Sequence, residues 1–76
     1  MSVAAIAAET DEWAERLEQI EGQLGEVYEQ LRALQQDLKE AGRKKDFQAL
    51  NEPLERLARY GRLFAEMRET WAAPED

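Results

Sequence analysis

Residues 13–41, WAERLEQIEGQLGEVYEQLRALQQDLKEA, decide the fold. Their large apolar side chains are Trp13, Leu17, Ile20, Leu24, Val27, Leu31, Leu34 and Leu38, and the series closes on Ala41. The steps alternate four and three without exception, which is the signature of a helix whose apolar seam meets another helix, as in a coiled coil. Running the same frame backwards adds Ile6 and Val3, with Thr10 as the one polar interruption. The first helix is therefore expected over about 10–41, or from residue 3 if the alanine-rich N-terminal run joins it. Thr10 and Asp11 are its candidate caps. Glu9, Asp11 and Glu12 sit where a helix N-terminus favours negative charge.

Gly42 follows the last seam residue and is the expected left-handed cap, with Arg43, Lys44 and Lys45 placed to offset the helix's unpaired carbonyls. The reading makes 42–46 a turn and Asp46 the cap of a second helix over about 47–72. The apolar positions of that helix are Phe47, Leu50, Leu54, Leu57, Tyr60, Phe64, Met67 and Trp71. Pro53 cannot donate to the carbonyl of Ala49. Either the second helix kinks near 53, or its regular part begins at Asn51 with Phe47–Leu50 as a separate turn. Pro74 is expected to end it.

So short a connection makes the two helices antiparallel neighbours. Their apolar residues then pair at constant register about the turn: Ala41 with Phe47, Leu38 with Leu50, Leu34 with Leu54, Leu31 with Leu57, Leu24 with Phe64, and Leu17 with Trp71. Val27 meets Tyr60 and Gly61. The expected fold is all-α, one domain over residues 1–76, an antiparallel two-helix hairpin packed like a coiled coil. Trp13, Ile6 and Val3 have no partner left in this register. The flanks Ala14, Gln23, Tyr28, Gln30 and Gln35 also carry few charges, which suits a contact wider than a two-helix seam. The hairpin is accordingly expected to be completed to a four-helix bundle, by dimerisation or by a partner protein.

Composition narrows the function. Seventeen acidic residues against ten basic give a net charge of −7, and histidine and cysteine are both absent. That removes thiol nucleophiles, disulfides, the usual metal ligands and the commonest general base, so no enzymatic activity, cofactor or small-molecule substrate is expected. The longest apolar run, Val3–Ala8, is far short of the roughly 20 residues of a membrane span and lacks the flanks of a signal peptide. A cytoplasmic protein that neither enters membranes nor binds nucleic acid is the expectation, because a net negative surface repels both. The charge is also polarised. Glu12, Glu15, Glu18, Glu21, Glu26 and Glu29 crowd the first helix beside Arg16, whereas Arg43, Lys44, Lys45, Arg56, Arg59 and Arg62 follow the turn.

The candidate contact residues are Val3, Ile6, Trp13 and Trp71 at the open end of the hairpin, Tyr28 beside the seam, and Gly22 and Gly25. Each glycine costs the helix about 1 kcal/mol relative to alanine, and the seam gives no reason for either. A partner backbone approaching closely would supply one. Exposed tryptophan is typical of binding hot spots.

From Leu17 to Met67 the chain resembles the small acidic helical-hairpin chaperones of bacterial type III secretion and flagellar export. The likeness is carried by the Gly42 turn and by Asp46-Phe47-Gln48-Ala49-Leu50 opening an amphipathic second helix. Asn51-Glu52-Pro53 has no counterpart in that pattern. The resemblance implies a non-catalytic chaperone that buries an aggregation-prone partner along a helix face. Three functions are compatible with the sequence: a protein-binding adaptor or small chaperone, a self-assembling structural coiled-coil element, and an acidic inhibitor or nucleic-acid mimic.

Overall fold

A computed structural model describes residues 3–72, with side chains from Thr10 to Trp71. The described residues are helical almost throughout: α1 spans Val3–Glu40, α2 Lys44–Ala49 and α3 Asn51–Ala72. The protein measures 60 × 18 × 14 Å, and its long dimension is that of α1, since 38 residues at about 1.5 Å each come to about 57 Å. Its radius of gyration of 17.7 Å compares with about 11 Å for a compact domain of this length. Thr10 and Asp11 lie inside α1 and do not cap it. Pro74 lies outside the described residues.

The turn is built by Gly42. Its φ of +75° is the left-handed conformation, and two hydrogen bonds close the end of α1 around it. The Gly42 amide donates to Lys39 at 3.1 Å, and the Arg43 amide donates to Leu38 at 2.8 Å. This is the Schellman arrangement, in which two otherwise orphaned carbonyls are satisfied within three residues. α2 begins two residues later, so the turn is tighter than the 42–46 expected from the sequence. Asp46 consequently falls in the first turn of α2 rather than before it, and its carboxylate takes Arg43 in an ion pair at 2.7 Å. Arg43 occupies the N-cap but makes no capping hydrogen bond with its side chain, which instead donates from Nε to Asp46 Oδ2 at 2.8 Å.

The second helix does divide, as one of the two readings of Pro53 requires. Leu50 ends α2 with its amide on Phe47 at 3.3 Å, and the Leu54 amide reaches back to Leu50 at 3.1 Å. The break therefore falls three residues ahead of the proline. Pro53 then sits in the first turn of α3, where no helical hydrogen bond is asked of it.

α1 and α3 pack antiparallel along their whole shared length. Trp13 meets Trp71 edge to face at 6.5 Å, Arg68 reaches Glu21 at 2.7 Å, and Gln35 reaches Asn51 at 2.8 Å. Among the described residues only Leu54, 7% exposed, is buried, and the rest of the shared seam is half-buried. Two changes test the frame by urea unfolding. Gly42→Ala, which forces an L side chain into the left-handed region, should cost about 1–2 kcal/mol, and Leu54→Ala should cost about 2–3 kcal/mol.

Candidate functional site, an exposed apolar face

Which positions of α1 touch α3 is the main point on which the structure departs from the sequence reading. Half-buried residues on α1 run Thr10, Ala14, Leu17, Glu21, Leu24, Tyr28, Leu31, Gln35 and Leu38. Leu17, Leu24, Leu31 and Leu38 face the partner helix as expected. Their companions are Ala14, Glu21, Tyr28 and Gln35, one position round from the expected Trp13, Ile20, Val27 and Leu34. The physical reason lies in the other helix. α3 presents Ala58, Gly61 and Ala65 on that side, and these small residues leave room for Tyr28 and for polar pairs. Leu24 comes within 3.8 Å of where a Gly61 Cβ would stand.

Those polar pairs hold one edge of the contact. Arg68 donates from Nε to Glu21 Oε2 at 2.7 Å and from Nη2 to Oε1 at 3.3 Å, a two-pronged bond that fixes both side chains. The hydrogen bond to Glu21 raises the Arg68 pKa above its ordinary value; partial burial opposes this, and the charges of Glu21, Glu18 and Glu69 add to it. Gln35 donates its amide to the Phe47 carbonyl at 2.9 Å and to Asn51 Oδ1 at 2.8 Å. The guanidinium of Arg32 lies 6.0 Å from the Tyr28 ring. This side of the hairpin is polar and satisfied.

The opposite side is neither. Trp13, Ile20, Val27 and Leu34 on α1, with Tyr60, Leu63 and Met67 on α3, remain 41–48% exposed. The α1 set recurs every seven residues, as do Pro53, Tyr60 and Met67 on α3. Both series flank the same side of the seam. Between them runs a shallow groove of about 600 Å³, where Val27 and Leu31 look across at Ala49, Pro53 and Leu57, with Glu52 and Arg56 at its rim. Tyr60 stacks on Phe64 at 6.5 Å. Scattered exposed apolar residues are ordinary, but a continuous stripe of large ones marks a contact surface.

Comparison with known protein families, curated proteins and solved structures finds no match. The functional reading of this chain therefore rests on its own surface.

The residues singled out in the sequence divide between the two sides. Trp13 belongs to the apolar face and also has a partner within the chain, Trp71, which the register of the sequence pairing had not supplied. Trp71 itself is half-buried, and Tyr28 is taken up by the polar side, lining a hollow with Leu24, Gly25 and Gly61. Gly22 and Gly25 are exposed, with nothing within 4 Å of an added Cβ. The side chains of Val3 and Ile6 lie outside the described ones. Sequence reasoning placed Ile20, Val27 and Leu34 in the hairpin seam and passed over Leu63, which falls outside the seam frame; only its place beside Tyr60 and Met67 marks it. No described helix is long and apolar enough to cross a membrane, and no group of described carboxylates is placed to hold a metal ion.

The glycines give a direct test. With open space at both positions, Gly22→Ala and Gly25→Ala should each stabilise the isolated chain by about 1 kcal/mol in urea unfolding. If a partner backbone rests against them, the same variants should lose association in a binding titration.

Proposed function

We propose that this chain is a non-catalytic protein-binding module, an adaptor or small chaperone that works in the cytoplasm by laying the apolar face of its hairpin against a partner protein. One observation carries the reading: the seven large side chains from Trp13 to Met67 that stay exposed on a single side. Burying them is worth more than any other change open to the surface, at about 25 cal/mol per Å² of apolar area removed from water. Helix-on-helix docking is the mode that such heptad-spaced anchors fit. A four-helix bundle, completed by two helices from outside the chain, is the architecture in which both series would be covered.

A photo-reactive residue introduced at Val27, in the middle of the face, should form covalent adducts with a polypeptide in the native host. The same residue at Gln36, on the outer surface of α1, should form few. Equal yields at both positions, or none at Val27, would overturn the proposal. The double variant Ile20→Asp and Val27→Asp should abolish the association in sedimentation, whereas Gln36→Asp should leave it unchanged.

A further inference from the structure

We infer that the occupant of this face is a second copy of the same chain, docked antiparallel so that α1 lies on α1 and α3 on α3. The inference rests on the reading of the face as a protein-binding surface and goes beyond it by naming the partner and its orientation.

Area comes first. The chain exposes 6,359 Å², whereas a compact monomer of 8.8 kDa exposes about 4,800 Å². The excess, about 1,600 Å² per chain, gives about 3,200 Å² for a pair, which falls within the range of obligate homodimers. A second hairpin of equal length removes this excess without any further component.

Symmetry comes second. The four exposed residues of α1 are centred between Gln23 and Leu24, and those of α3 are centred on Leu63. Glu21 paired with Arg68, and Leu24 against Gly61, put these two centres at one level of the hairpin. A two-fold axis lying in the plane of the face and crossing both helices at that level seats Trp13 over Leu34 of the second copy and Ile20 over Val27. Tyr60 then meets Met67, and Leu63 lies level with Phe64, about 1.5 Å along the axis from its own counterpart. A self-complementary patch of this kind is what a two-fold interface requires. The same axis brings residue 7 level with Glu40, the last residue of α1 in the second copy, so about half of the part of α1 that outruns α3 has a helix to lie along.

Charge decides the direction. The open end carries Asp11, Glu12, Glu15 and Glu18 against Arg16, and the turn end carries Lys39, Arg43, Lys44 and Lys45 against Asp37, Glu40 and Asp46. Antiparallel docking puts Glu15 level with Arg32 of the second copy and Asp11 within one helical turn of its Lys39, while Glu18 falls level with Glu29. Docking with both turns at the same end would stack like charge on like.

The chain has no cysteine, so single cysteines can read the orientation in the purified protein. Arg16→Cys and Gln30→Cys flank the apolar face and touch none of its anchors. In the antiparallel dimer residue 16 lies beside residue 30 of the second copy, while each residue is about 21 Å from its own counterpart, beyond the reach of a disulfide. Oxidising a refolded mixture of the two variants should yield the crossed dimer, with neither variant alone cross-linking above background. Self-linking of each variant would overturn the orientation. A stable 8.8 kDa species in sedimentation would overturn the second copy. If Val27 adducts in the host are then found on a different protein, the binding face stands and only its assignment to a second copy falls.

Discussion

Two rods can touch only along a line. A pair of helices therefore buries one stripe of each and leaves the flanks of both stripes to solvent or to something else. Every notable feature of this protein follows from that limit. Each heptad of α1 offers three positions to a neighbour, Trp13, Leu17 and Ala14 in the first and Val27, Leu31 and Tyr28 further along, and α3 has room for two of the three. The hairpin takes the leucines and, beside them, the smaller and more polar set. The large set at Trp13, Ile20, Val27 and Leu34 is left outside. Choosing the polar flank costs little, because Glu21 with Arg68 and Gln35 with Asn51 satisfy one another where the helices meet.

The same limit explains how far the fold could be read from residues alone. Heptad spacing from Trp13 to Leu38 specifies a helix and a seam, and Gly42 followed by three bases specifies where the chain turns back. These signals are local, and an antiparallel pair joined by a tight turn has almost no freedom of register. The choice of flank is different in kind. Shifting the contact by one position keeps Leu17, Leu24, Leu31 and Leu38 in place and exchanges their neighbours. The outcome depends on Ala58, Gly61 and Ala65 across the interface, small residues that carry no hydrophobic signal of their own. Asp46 shows a similar ambiguity. An aspartate after a basic run suits a cap and suits an ion pair with Arg43 equally well, and the start of α2 at Lys44 settles the matter. Pro53 was readable to within a choice of two, because its missing donor can be accommodated by a bend or by a new helix start. Of the apolar face, the sequence marks Trp13 as a contact residue but counts Ile20, Val27, Leu34, Tyr60 and Met67 as seam. Only Leu63 went unremarked.

Charge follows the geometry of the turn. The bases from Lys39 to Lys45 offset the carbonyl end of α1, and the acids from Asp11 to Glu21 lie in its N-terminal half. A molecule 60 Å long thus carries opposite charge at its two ends, separated by several screening lengths of about 8 Å at physiological salt. Each end acts on its surroundings independently of the other. The Glu21 and Arg68 pair lies towards the acidic end and ties it to α3, so the region where α1 is most negative is also where a cation from the returning helix is anchored.

The tightness of the Gly42 turn also sets an order of events. Bringing two chain segments together costs more entropy as the loop between them lengthens. The contact of Lys39 with the Phe47 ring closes a shorter loop than Gln35 with Phe47 and Asn51, and Trp13 with Trp71 closes a far longer one. Once the Schellman turn has formed, each pairing shortens the loop that the next must close, so the hairpin assembles like a zipper from one end. Its two tryptophans, the only two in the chain, sit at the last tooth. They are the last pair to meet and the first to part, and their fluorescence reports that final step apart from everything that precedes it.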